Sequence, residues 1–203
     1  MNSIKSQHVV LHEEDTCETY EQELIGEEPL LLLIEDEPYS VVQTSCGICG
    51  KEMIKDLCQI LTPVTDETRI SMSQAIVCID QLTPHQDFYE RTKASHGVML
   101  FDSQLHVLAL AEDVGRHNAL DKAIGKVFMG GQLAEARLAV LSSRISYELV
   151  QKAARAHLPI LVSISRPTAL AVKLGKNLNM TLACAVKESG LMVFCGEERI
   201  VRE

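Results

Sequence analysis

Tryptophan is absent from this chain and other aromatic side chains are few, with four phenylalanines and four tyrosines. Surfaces that stack unpaired bases draw on such rings, so single-stranded nucleic acid is not an expected partner. Basic charge is short as well: 19 lysines and arginines stand against 28 aspartates and glutamates, a formal net charge of −9 that repels duplex DNA and anionic membranes. Long apolar runs are missing. The stretch from Leu30 to Ile34 ends far below the roughly 20 residues that a spanning helix requires. Residues 1–15 are polar and acidic, without the basic, apolar and small-residue order of a secretion leader. These absences lead us to expect a soluble, cytoplasmic protein that partners neither nucleic acid nor a membrane.

What is present is enough for one full core and a smaller lobe: 203 residues, 46% of them hydrophobic. Seven cysteines, an odd number in a chain with no expected leader, point to free thiols in a reducing compartment, where cysteine means chemistry or core filling. Three regions are read from composition. Residues 1–28 are acid-rich and suggest a mobile arm, residues 29–71 a small β-containing lobe, and residues 72–203 an α/β ligand-binding domain.

Within the lobe, Leu30 to Ile34 suits a buried strand with Val41 and Val42 on its hairpin partner. Ser45-Cys46-Gly47-Ile48-Cys49-Gly50 then places two thiols on a glycine-rich loop entering a helix over 51–61. Further on, the spacing predicts a helix over 72–82 ended by Pro84, a short polar helix over 85–92, and a hairpin of 97–101 with 105–111 about a turn at 102–104. Asn118 is the expected N-cap of the next helix, which Gly130-Gly131 stops. A regular alternation follows: strand 138–141, helix 146–157, strand 160–163, helix 168–177, strand 181–186. Right-handed crossovers then require a parallel sheet, so the fold class is α/β with helices on both faces of a layered sheet.

That topology gathers the loops 112–118, 142–144 and 163–167 on one edge of the sheet, where open α/β folds bind ligands. Each loop leads into a helix N-terminus and carries an arginine: Arg116, Arg144 and Arg166. Helix-end amides and guanidinium forks both favour phosphate, so a phosphorylated ligand is expected. Ser142, Ser143, Ser163, Ser165 and Thr168 can cap those helices or bond phosphate oxygens, and spacing alone does not separate the two roles. His117 lies between Arg116 and Asn118, and His117 or His96 can serve as a base or as a donor to a ligand.

The Cys46/Cys49 pair admits four readings. A zinc site needs four ligands, and no second Cys-x-x-C exists, so no structural metal is expected. A thioredoxin-like dithiol fits Gly47-Ile48 poorly, and an iron–sulfur cluster needs more clustered thiolates. The fourth reading is a thiolate that accepts sulfur as a persulfide and passes it on by attack at sulfur. Gly47 and Gly50 give it backbone freedom, and Lys51 with the expected helix end favours the thiolate.

The run Glu112-Asp113-Val114-Gly115-Arg116-His117-Asn118-Ala119-Leu120-Asp121-Lys122-Ala123-Ile124-Gly125 resembles the central signature of the FdhD family of formate dehydrogenase accessory sulfurtransferases. The likeness extends to Ser45-Cys46-Gly47-Ile48-Cys49-Gly50-Lys51, to Ser142-Ser143-Arg144-Ile145-Ser146-Tyr147-Glu148, and to Pro167-Thr168-Ala169-Leu170-Ala171-Val172. It implies a cytidine-deaminase-like fold without the catalytic zinc, and a homodimer. It implies that sulfur comes from a cysteine desulfurase, is held as a persulfide on Cys46 with Cys49 as its partner, and goes to the molybdenum bis(molybdopterin guanine dinucleotide) cofactor of formate dehydrogenase. On the same likeness Ala185, Val186, Lys187, Glu188, Ser189 and Gly190 occupy the cofactor-binding stretch, and the guanine dinucleotide suits the phosphate-favouring edge read from topology, where Arg116, His117, Asn118, Ser143, Arg144, Ser165 and Arg166 are the expected contacts. Thr92-Lys93-Ala94 stands where the family carries Thr-Gly-Gly.

Two rivals are set against this reading. A non-catalytic chaperone would bind the cofactor and deliver it to formate dehydrogenase without moving sulfur. A zinc-dependent nucleobase deaminase is suggested by fold analogy alone, but His96-Gly97-Val98 lacks the acid of its His-x-Glu pattern and no Pro-Cys-x-x-Cys follows.

Overall fold

The computed structural model describes residues 4–13, 16–25, 30–34, 37–43, 47–49, 61–186 and 190–201. Its centre is one mixed sheet of eight strands. The alternation read from the sequence is present as β9 (Leu138–Leu141), α4 (Tyr147–Arg155), β10 (Ile160–Ser163), α5 (Ala169–Asn177) and β11 (Thr181–Val186). The strands β9, β10 and β11 pair in parallel, Ile160 with Leu138 and with Thr181. The hairpin of β7 (His96–Phe101) and β8 (Val107–Asp113) joins β9 through β7, and β12 (Gly190–Cys195) turns back on β11. Both of these additions are antiparallel.

Side-chain alternation along the central strands divides the core. Val98, Leu100, Ala139, Leu141 and Leu161 pack with α3 (Arg116–Met129) and α4, while Met99, Phe101, Leu138, Val140, Ile160 and Val162 pack with α1 (Met72–Leu82). Successive residues of one strand thus serve opposite faces, as the pleat requires, and each face is closed by helix. Helix α1 starts in a capping box in which Ser71 and Gln74 each accept from the other's backbone amide. A short 3₁₀ turn at Thr83–His85 ends it, and α2 (Asp87–Thr92) follows.

The acidic N-terminal stretch corrects its expectation. In place of a mobile arm, β1 (Ile4–Glu13) and β2 (Cys17–Ile25) form a hairpin whose first strand pairs with β12 and completes the sheet. Charge had masked a two-residue period: Val9 and Leu24 are buried against Phe194 and Met192, while Glu21 and Glu23 face outward. The 85–92 helix begins two residues later than expected. The hairpin turn runs over residues 102–106, because Asp102 Oδ1 accepts from the amides of Gln104 and His106 at 2.8 and 2.9 Å.

A separate three-stranded sheet holds β3 (Leu30–Ile34), β4 (Glu37–Gln43) and β5 (Gly47–Cys49), with Leu31 opposite Val41 and Val41 opposite Cys49. The expected hairpin is there. Gly47–Cys49, expected as loop, is strand. The helix expected over 51–61 falls at 51–60 outside the described residues. Short strands β6 (Ile70–Ser71) and β13 (Ile200–Val201) pair in parallel apart from both sheets.

Candidate functional site

Because β7 is antiparallel to both β8 and β9, β8 runs in the same direction as β9. The carboxyl ends of β8, β9, β10 and β11 therefore lie on one edge, with the start of β7 between those of β8 and β9 and the start of β12 on the far side of β11. The loops after β8, β9 and β10 meet there and are bonded together. Ile164 N–H donates to Leu141 O at 3.0 Å and Thr168 N–H to Ile145 O at 3.0 Å, which ties the third loop to the second. Gly97 N–H donates to Ser142 Oγ at 2.9 Å, and Ser142 N–H returns a bond to Gly97 O at 3.0 Å.

The first loop joins through His117. This side chain is 6% exposed, and its Nε2 lies 3.2 Å from Ser146 Oγ and 3.5 Å from Glu148 Oε2. Ser146 Oγ donates to the same carboxylate oxygen at 2.8 Å, so its own oxygen accepts from Nε2–H and that nitrogen carries the proton. Burial alone would raise the Glu148 carboxyl. Hydrogen bonds from His117, from Ser146 and from its own backbone amide instead hold it at about 2.

Helix α3 begins at Arg116 with Gly115 as N-cap, a correction to the expected cap at Asn118. Asp113 makes the earlier start possible, since its Oδ1 accepts from Gly115 N–H at 2.9 Å and from the Asn118 amide at 3.1 Å. With Lys122 bonded to its other oxygen, Asp113 is held at about 2. His96, opposite Asp113 in the β7/β8 register, is shifted down by burial and by the neighbouring Arg116 and His117. Arg116 presents a buried Nε without a hydrogen-bond partner among the described residues. Glu112 faces the other way, accepting from the amides of Phe88 and Tyr89 and from Ser95 Oγ, and so fixes α2 to the sheet.

Of the expected ligand-contact residues, Arg116, His117 and Asn118 form the first turn of α3. Ser143 and the exposed Arg144 follow β9, and Ser165 and the exposed Arg166 follow β10. Ser143 Oγ donates to Arg144 O at 3.1 Å. Thr168 settles as a cap, accepting from Ala171 N–H at 3.2 Å. Half-buried Ala185 and Val186 end β11, and Gly190 opens β12, where a Cβ would come within 2.7 Å of His12 O. Lys187, Glu188, Ser189 and Cys46 lie outside the described residues, as does the side chain of Cys49.

Glu148 and Ser146 were not singled out from the sequence as members of the site. The signal was present in Ser146-x-Glu148 at a helix start, an N-cap followed by an acid in the first turn. A cleft of about 610 Å³ lined by Val64, Phe128, Leu133, Arg137 and His157 sits at the opposite edge, and the Arg137 guanidinium there is held by Asp66 at 2.8 Å.

Comparison with known proteins agrees with this arrangement of motifs. The sulfur carrier protein FdhD of Bordetella bronchiseptica is 37% identical over 158 residues, 78% of this chain and 57% of that protein. The protein of the same name from Thermoplasma acidophilum is 32% identical over 161 residues, 79% of this chain and 57% of its own length. The matched stretch thus spans little more than half the length of these relatives. A crystal structure of a candidate formate dehydrogenase accessory protein from Desulfotalea psychrophila superposes with a TM-score of 0.65 over 98% of this chain and 99% of that one, at 19% identity, and so shares the fold. The model of the FdhD/NarQ family matches residues 8–201. This chain belongs to the FdhD/NarQ family.

Proposed function

We propose that this protein is a cytoplasmic sulfur carrier in the maturation of formate dehydrogenase, a sulfurtransferase acting on the molybdenum bis(molybdopterin guanine dinucleotide) cofactor as its substrate. The Cys46 thiolate attacks the outer sulfur of a cysteine desulfurase persulfide; a new S–S bond forms on Cys46 and the desulfurase thiolate leaves. Cys49 stands three residues away as the resolving thiol. The dinucleotide is held at the carboxyl edge while sulfur passes to the metal, with Arg116, Arg144 and Arg166 toward its phosphates. His117, Asn118, Ser143, Ser165 and the stretch 185–190 complete that cradle. In this reading the large sheet and its helices form a cytidine-deaminase-like layering with residues 29–71 as a small lobe, and the active unit is a homodimer.

The observation that carries the reading is the meeting of three arginine-bearing loops at one edge, hydrogen-bonded to one another and opening onto helix N-termini. An anionic ligand with several phosphates suits such an edge. Incubation with a desulfurase and cysteine, followed by mass spectrometry, is expected to show a gain of about 32 Da on Cys46, one sulfur atom, lost in Cys46→Ala. Absence of any adduct on Cys46 and Cys49, with Cys46→Ala still maturing an active formate dehydrogenase, would leave a cofactor-binding chaperone in its place.

A further inference from the structure

Helices α3 and α4 lie side by side with their N-termini at the same edge, and two contacts of equal offset join them. His117 faces Glu148, and one turn further along both helices Asp121 faces Lys152 at 2.6 Å. The outer contact is exposed to solvent at Asp121, whereas His117 and Glu148 are 7% and 13% exposed at the side chain. Only the inner contact touches the first turns that frame the edge. Glu148 also accepts from its own backbone amide, so one of the unpaired N–H groups at the start of α4 already has an anion.

We propose that Glu148 is a positioning residue for the binding edge: through Ser146 and His117 it sets the first turn of α3, and with it Arg116, and it closes the α4 end to phosphate. Resting on the proposed function, the inference assigns the phosphate of the guanine dinucleotide to the α3 side of the edge, where Arg116 Nε is buried and without a partner among the described residues. Simple charge and positioning make opposite predictions for removal of this carboxylate. Deleting an anion near a phosphate site strengthens phosphate binding by Coulomb's law, whereas loosening the turn that aims Arg116 weakens it.

The test is calorimetric titration of the full chain with GDP, the guanine and phosphate half of the substrate. Circular dichroism at the assay temperature confirms that each variant is folded. Glu148→Gln is expected to weaken binding about tenfold, a coupling of the size found between residues in one network. His117→Asn is expected to do the same, and the double variant to lose no more than either alone. Glu148→Asp, which keeps the charge, is expected to recover part of the loss, and Asp121→Asn to bind GDP as the parent does. Unchanged or tighter binding by Glu148→Gln, additive losses in the double variant, or an equal loss in Asp121→Asn would each overturn the assignment. Failure of the parent chain to bind GDP would overturn the dinucleotide reading itself, and this inference with it.

Discussion

Gly196 shows how much a single position can dictate. It adopts φ +69°, and a Cβ added there would lie 2.5 Å from Thr181 Oγ1 and 2.6 Å from Met180 O. Thr181 Oγ1 donates to Gly196 O at 2.7 Å, so a side chain would also break the link between the start of β11 and the end of β12. We expect Gly196→Ala to lower unfolding free energy by about 2 kcal/mol or more, from left-handed strain and overpacking together, measured by urea titration. Lys93 takes a comparable backbone, φ 55°, without being glycine, where the resemblance had placed one. Its ammonium lies 5.1 Å from the Tyr89 ring centroid, a contact that offsets part of the strain. Such positions are legible in sequence only when glycine fills them.

Among the elements, the helix starts hold the strongest dependence on acidity. Asp113 at the head of α3 and Glu148 in α4 are each held at about 2, against ordinary values of 3.8 and 4.5. A carboxyl whose folded value is depressed adds stability above its unfolded value and loses it as pH falls through the folded one. Stability is therefore expected to decline between about pH 4.5 and pH 2, and Asp113→Asn or Glu148→Gln to flatten that decline while lowering stability at neutral pH. Urea midpoints across the range measure both effects. The elements themselves were legible where apolar spacing was regular, as in β9 through β11. They were hidden where polar and charged residues outnumbered the apolar ones, as in β1 and β2, because the period survives only when the outward side chains are discounted.

For the whole molecule, the distribution of thiols bears on the proposed chemistry. Burial pushes Cys78 and Cys184 up to about 11 and Cys195 up to about 12, whereas Cys17 is exposed. The three buried cysteines fill the core on both faces of the sheet, and Cys195 Sγ packs so closely on Gly175 that a Cβ there would lie 3.0 Å from it. Brief treatment of the folded chain with iodoacetamide is expected to alkylate Cys17 and to spare Cys78, Cys184 and Cys195 until urea is added, as read by peptide mass spectrometry. The sequence made the ligand edge readable because loops after successive strands must share a side of the sheet. The loop after β8 was expected there too, but not the antiparallel pairing of β7 with β9 that carries it to that edge. The partner of His117 was equally hidden, 31 residues away on another helix.

The main-chain bonds that lace the second and third loops together bear on how a guest is received. With Ile164 and Thr168 already anchored to Leu141 and Ile145, the rim has little freedom left to surrender. Capture there is expected to leave the backbone where it stands, and the amides of Ile164 and Thr168 to trade hydrogen for deuterium in concert, as one stiff collar.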